Sequence, residues 1–387
     1  MHLDKYEHID TIRDTKQLVA FCDHLKQHEK SGFITVDTEF LRRTTYWSKL
    51  CLIQVASTDH VALIDPLADK LDLTAFYEIL QYEPLVKVFH AARQDVEIFF
   101  HATGKVPTPL FDTQVAAMVC GYGDSIGYGN LVEELLKVGL DKTQRFTDWS
   151  RRPLKQEQLK YALQDVTHLR SVYEILLQQL QHEHRKSWIE SEMAILIDPK
   201  TYEINELEVW QRIKTRSDQP KFLARVQHLA AARERHAIRY NKPRLHVASD
   251  LALLEMAADP PATVEQVKAL KALSASNELA KAMFDALQAV EALPPEQWPV
   301  RERREQRVNV VLAELLKVWL KQVAEDNRVA SKLIASPDDI DRFVADPAAN
   351  IPMMFGWRHK IFGESAEAIK NGEKSLRYDS GRLMLVE

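Results

Sequence analysis

Glycine is scarce in this chain, 11 of 387 residues, against a usual share of about 7%. With Leu, Ala, Glu, Lys, Gln and Arg abundant, the backbone leans helical. Cysteine is scarcer still: Cys22, Cys51 and Cys120 are an odd number with no CxxC pair. That argues against a disulfide framework or a zinc site and fits a reducing compartment, so a cytoplasmic location is expected. Long apolar runs are missing. A membrane-crossing helix needs roughly 18 such residues, and the best stretch, Val308 to Leu320, is broken by Glu314 and Lys317. The opening MHLDKYEHID has no cationic start running into an apolar stretch, so no secretory signal is expected. What is present suffices for folding: 45% of residues are apolar, ample surface to bury, which argues against disorder. The length predicts two or three domains.

The net charge of -5 does not advertise a nucleic-acid binder. Its distribution says more. Trp210 to His246 holds ten Lys/Arg and two acids, and the rest of the chain is acidic. Such a block is either a phosphate-backbone footprint or a solvated helix face.

Residues 1–180 alternate between strand and helix patterns. Short β-branched runs at 32–37, 50–56, 61–65 and 86–90 predict strands, the second and third joined as a meander through Ser57-Thr58-Asp59. Helical patterns fall at 73–81, 91–101, 111–120, 131–138 and from Pro153 to about His184. Strands packed under helices make an α/β domain. After about residue 200 helical periods take over, and 247–260 repeats at 334–347 with five of 14 positions identical. Each copy offers a Ser N-cap and a Pro past the helix, which predicts two related helical domains joined near Pro294-Pro295. The expected division is 1–195, 196–293 and 294–387.

Three short motifs carry candidate chemistry. Asp37-Thr38-Glu39 closes the first strand run, and residues two apart on a strand share a face. Two neighbouring buried carboxylates need cations, and hard ions with oxygen ligands, Mg²⁺ or Mn²⁺, suit them. Asp95, in His90-Ala91-Ala92-Arg93-Gln94-Asp95, falls in the first turns of a helix. Tyr161 and Asp165 are four apart, on one helix face. Each motif alone is equally at home on an ordinary surface or in a core.

Together, VDTEF, HAARQDVEIF and YALQDVTHL resemble the three motifs of the DEDD 3′-to-5′ exonucleases. Leu140 to Gln144 and Thr147-Asp148-Trp149-Ser150-Arg151-Arg152-Pro153-Leu154 bring the likeness closer, to the ribonuclease D family. The helical repeats resemble the HRDC domains that bacterial members carry in tandem. The resemblance implies an RNase H-like α/β domain, a mixed sheet with flanking helices, followed by two all-α HRDC-like domains. It implies two divalent ions held by Asp37, Glu39, Asp95 and Asp165, with Asp37 bridging them. Glu39 and Asp165 would complete the ion with the attacking water, and Asp95 would serve the other. A Tyr four before the last Asp, with Lys160 where a sister subclass has His, places the chain in the tyrosine subclass, Tyr161 positioning the water.

The implied activity is trimming of 3′ ends of tRNA precursors and other structured RNAs to 5′-mononucleotides, by a monomer without membrane contact. The alternatives are a DNA exonuclease, which shares the motifs, and a non-catalytic RNA-binding protein, which has no need of the intact acidic set. Candidate substrate contacts are Thr38, Phe40, Leu41, Trp47 and His90 near the catalytic strand, and Arg233, Arg235, Arg239 and Lys242 in the basic stretch. Asp112 reads as a helix cap. The loop Gly121-Tyr122-Gly123 to Gly127-Tyr128-Gly129 lacks GK[ST], which argues against a nucleotide P-loop, and reads as a flexible connection near the cleft.

Overall fold

The computed structural model describes residues 8–141, 143–270, 276–301, 308–346 and 348–387. Its contacts divide the chain into two compact units. One holds 1–38, 52–201 and 304–387, the other 39–51 and 202–303.

The first unit is built on six strands: β1 (His8–Ile12), β2 (Phe33–Leu41), β3 (Lys49–Ala56), β4 (His60–Ile64), β5 (Val86–Phe89) and β6 (Leu110–Asp112). Their order is β1-β4-β3-β2-β5-β6. The β3–β4 pair is antiparallel, the predicted meander, while β1–β4, β2–β5 and β5–β6 are parallel, so the sheet is mixed. β1 and β6 fall outside the predicted strands. The first, HIDTI, is β-branched but short and interrupted by Asp10, and the second is three residues long.

Helices cover the sheet: α1 (Thr15–His28), α2 (Thr74–Leu80), α3 (Arg93–Thr103), α4 (Thr113–Val119), α5 (Tyr128–Leu136), α6 (Gln156–His182) and α7 (Lys186–Ile197). α1 shows why such segments fold as they do. Asp14 caps its first turn by accepting from the Gln17 amide, and Leu18, Phe21, Cys22 and Leu25 make one buried stripe. α6 is the longest helix. Thr35 Oγ1 donates to the Val166 carbonyl at 2.8 Å, and the buried Arg170 guanidinium lies 4.2 Å over the Phe33 ring. Arg170 also donates to the carbonyls of Phe33 and Ala56 and to the hydroxyls of Ser31 and Thr58, so one side chain fastens α6 to β2 and β3.

The second unit centres on α8 (Pro220–Arg239), with α9 (Arg244–Val247), α10 (Asp250–Ala258), α11 (Val264–Lys268) and α12 (Asn277–Glu291). The link between β2 and β3 belongs to it, and Tyr46 enters its core. The Tyr46 hydroxyl and both nitrogens of an Arg244 fork meet Glu234, a carboxylate with no solvent exposure.

The sequence repeat reappears in backbone geometry. α13 (Val310–Asp326), α14 (Ser331–Ile334) and α15 (Pro337–Ala345) follow α8, α9 and α10, and the last two pairs are offset by 87 residues at both ends. Ser249 and Ser336 both cap their helices, and the left-handed residues Asn241 and Arg328 keep the same offset. The second copy, with α16 (Gly356–Arg358), α17 (Glu364–Lys370) and the hairpin β7 (Ser375–Asp379) and β8 (Arg382–Val386), packs on the α/β part of its own unit. Trp357 stacks on Trp188 at 4.2 Å, and Arg358 pairs with Glu192. Arg185 donates to the carbonyls of Val119, Asn327 and Arg328. Gly121, at φ +84, lets the Arg328 carbonyl in; a Cβ there would stand 2.5 Å from that oxygen.

Candidate active site

β2, α3 and α6 bring the three sequence motifs together. Ligand oxygens of Asp37, Glu39 and Asp165 all lie within 4.8 Å of one another. Asp37 and Glu39 share a strand face, and Asp165 comes from the α6 turn that Thr35 fastens to β2. Asp95 lies in the first turn of α3, buried, and one of its oxygens accepts from the Thr38 hydroxyl.

Asp112 sets the start of that helix. Its carboxylate accepts from the amides of Ala91 and Ala92 and caps α4 through the amides of Gln114 and Val115. Ala91 is held at φ +59, a strained setting for a residue with a Cβ. The cap reading of Asp112 therefore describes its contacts, and its reach to α3 is the added finding.

The electrostatics are those of a site built for cations. Burial pushes the Asp37 carboxyl up to about 7. Burial, then the nearby Asp37 charge, pushes Asp95 and Asp165 well above the usual carboxylate range. Clustered anions without a cation hold protons instead. The donor set, all carboxylate oxygen, fits a hard divalent ion. Tyr161 hydrogen-bonds to Asp165, which works against that upward shift, and its ring lies 6.1 Å from the buried Trp149 ring. Trp149 belongs to the loop that Arg152 anchors by a two-pronged pair to Asp65, 2.8 and 2.6 Å.

A cavity of about 370 Å³ opens over Asp37, Tyr161 and Asp165. His90 lines it with its ring engaged, Nε2 3.2 Å from the Ile126 carbonyl and Nδ1 3.0 Å from the Thr113 hydroxyl. Burial lowers its pKa, so the ring is neutral. Further polar residues line it to which the sequence pointed no role, among them Gln114, Tyr128, Asn130, Arg145 and Gln164. The glycine loop that read as a flexible connection is instead partly ordered, for Gly127 caps α5 and the Tyr128 hydroxyl donates to the Gln164 carbonyl at 2.9 Å. Burial and the charges of Asp165 and Asp37 raise that hydroxyl's pKa well above its usual value.

The remaining candidates fall differently. Thr38 is engaged with Asp95, and Phe40 and Leu41 are half-buried at the end of β2. Trp47 sits edge-on to Tyr46 at 4.6 Å and packs on the second unit's core. Arg233 is 4% exposed and binds the Ala248 carbonyl and Asp250, so it braces α8 against α10 and is not a surface cation. Arg235 pairs with Glu206 and Arg239 with Glu278, while Lys242 is exposed.

A family model described as a 3′-5′ exonuclease matches residues 9–181, and the HRDC domain model matches 222–277. A ribonuclease D of Nitrobacter hamburgensis is 44% identical over 383 residues, covering 98% of this chain and all of the relative. One from Bartonella henselae is 43% identical over 364 residues, 91% of this chain and 88% of its own. Among solved structures, Escherichia coli RNase D, described as an exoribonuclease involved in structured RNA processing, superposes with a TM-score of 0.80 at 26% identity. It covers 94% of this chain and 99% of its own.

Proposed function

Because the chain belongs to the ribonuclease D family, we propose that this 3′-5′ exoribonuclease trims the 3′ ends of tRNA precursors and other structured RNAs, one nucleotide at a time. The observation that carries the reading is the gathering of Asp37, Glu39 and Asp165, with Tyr161 bonded to Asp165, under an open cavity.

In this reading Asp37, Glu39, Asp95 and Asp165 would hold the divalent ions, two of Mg²⁺ or Mn²⁺. Such ions lower the pKa of water and neutralise phosphate charge. The chain's own residues do the rest. Thr38 fixes one Asp95 oxygen and so aims the other. Tyr161 orients water with its hydroxyl; a phenol with a usual pKa near 10 positions rather than deprotonates at neutral pH. Neutral His90 and Arg145, which line the cavity, would meet the 3′-terminal nucleotide, and Phe40 and Leu41 at the end of β2 are the candidates to wedge against its base. Trp47, edge-on to Tyr46, is already occupied with packing, so its part in binding is indirect.

The second helical copy acts as a second HRDC-like domain, so the functional division is 1–195, 196–293 and 294–387. The protein works as a monomer in the cytoplasm; no helix among the described residues is long and apolar enough to cross a membrane. Purified protein is mixed with a 3′-extended tRNA and a DNA strand of matched sequence, with and without Mg²⁺. Release of 5′-mononucleotides from the RNA only when Mg²⁺ is present is expected. Equal digestion of the DNA favours the DNA-exonuclease reading, and robust cleavage in EDTA removes the metal mechanism.

A further inference from the structure

A second gathering of metal-ligating side chains lies at the other end of the sheet. His24 projects from the last half of α1, and Asp59 and His60 stand at the turn between β3 and β4. One ligand atom from each lies within 4.8 Å of the other two. His24 Nε2 is 3.5 Å from Asp59 Oδ2, and His60 Nδ1 is 3.3 Å from Asp59 Oδ1. Two donors bound tetrahedrally at about 2.0–2.1 Å from one ion stand roughly 3.3–3.4 Å apart, so both spacings are close to those of a bound set.

We propose that His24, Asp59 and His60 form a site for one transition-metal dication of the zinc class, separate from the carboxylate centre. His24 Nε2 is buried, and the Asp59 carboxylate, 3.5 Å away and too far for a well-formed hydrogen bond, is its neighbour, so an ion between the two would satisfy both. The His24 ring packs between two others, 4.1 Å from His60 and 4.7 Å from His28, which limits its rotation. Two imidazole nitrogens and one carboxylate are a donor set that zinc accepts and that magnesium, which prefers oxygen, does not. A cleft of about 300 Å³ between α1 and β1 reaches His24 and His60, giving the ion a way in and a fourth position for water.

The two centres are far apart along the chain's own geometry. The Thr58 amide, next to Asp59, donates to Glu29 at 2.7 Å, just before β2 begins. From Phe33, where β2 begins, to Asp37 the strand advances four residues, roughly 13 Å at a strand's rise. The ion would tie α1 to the β3–β4 turn, so it stabilises the fold without touching the chemistry.

The test measures Zn²⁺ binding to the full chain by calorimetry, with Mg²⁺ held in excess to occupy the carboxylates. Wild-type protein should bind one equivalent more tightly than His24→Ala/His60→Ala, which should lose affinity by on the order of tenfold or more while keeping its Mg²⁺-dependent exonuclease activity. Zn²⁺ should raise the melting temperature of the wild type and not of the variant. Equal stoichiometry and affinity in the two proteins overturns the site. If the double variant does not fold, the wild type decides alone. Zn²⁺ should protect His24 and His60 from diethyl pyrocarbonate and leave the exposed His246 reactive. Unprotected His24 and His60 overturn the proposal just as well.

Discussion

At the carboxylate centre, like charges are buried together, and the site answers by holding protons: Asp37 is pushed up to about 7, and Asp95 and Asp165 well above their usual range. In the basic stretch of the second unit the opposite has happened. Glu291 meets Lys221 and Arg225, Asp250 meets Arg233, Glu206 meets Arg235 and Glu278 meets Arg239. All four acids lie outside Trp210–His246, so a window along the sequence cannot see them. Charge crowding that the fold leaves unrelieved calls for a cation; charge that the fold has already paired serves structure. A count of local charge distinguishes neither.

The comparison breaks most visibly at Asp37. Asp37→Asn should cut RNA turnover by on the order of 10³-fold or more, since it removes a carboxylate from the cluster that could hold the metal. It should also raise, or leave unchanged, the melting temperature in EDTA, because it removes a repelling buried anion. The pH signs follow. A carboxyl whose folded pKa is raised binds more protons in the native state than in the unfolded one between about pH 4 and 7. Metal-free stability therefore falls as pH rises through that window, and Asp37→Asn flattens the fall. Protons compete with metal, so the Mg²⁺ needed for half-maximal rate should climb as pH drops below 7. A metal requirement independent of pH from 5.5 to 8 contradicts this.

The buried charge of the second unit should behave in the reverse sense. Glu234 has no exposure and is satisfied by Arg244 and Tyr46. Arg244→Met leaves that carboxylate without its cation, at an expected cost of about 3 kcal/mol in urea unfolding. Exonuclease activity on a short oligonucleotide should be retained under native conditions. A cost below about 1 kcal/mol shows that Glu234 is neutralised some other way.

Tyr161→Phe tests the one uncharged member of the site. It should lower kcat by roughly 10²-fold with little change in RNA affinity, as for a group that acts on the water in the transition state. An unchanged rate at saturating RNA shows the hydroxyl only holds Asp165.

The carboxylate cluster was legible because its signals are local: Asp37 and Glu39 two apart on a strand, Tyr161 and Asp165 four apart on a helix. The sheet's central strands were legible for the same reason, as β-branched runs. What escaped depends on distant partners. Asp112 reaches back 21 residues to the Ala91 amide, and Arg152 crosses 87 residues to Asp65. No local pattern announces that Tyr128 will bond the α6 backbone, because the glycines around it read as a loop. Arg233 failed in the same way: on a helical wheel it is one more cation, and only the fold supplies Asp250 and the Ala248 carbonyl. The 87-residue repeat was visible in 14 positions, yet its better record is the backbone, where caps and left-handed turns recur after side chains have diverged.

The smallest expected effect separates paired from unpaired cations on the second unit. Arg212, Lys214, Arg216 and Lys242 are exposed, and no ion pair is recorded for them among the described residues. Each phosphate contact contributes about 0.7 to 0.9 to the slope of log K against log salt. If these cations touch RNA, Lys214→Ala/Lys242→Ala should reduce the slope for tRNA binding by roughly one to two and weaken binding a few-fold. Arg235→Ala/Arg239→Ala removes the same formal charge from residues that already face Glu206 and Glu278. An exposed pair of that kind is worth less than about 1 kcal/mol, so fold stability should barely move, and the salt slope should change less than in the lysine variant. Neither variant should alter the rate on a short oligonucleotide that only reaches the cleft. Equal slope changes in the two variants mean that the acids release their partners to the RNA, and pairing in the free protein then does not predict which cations bind.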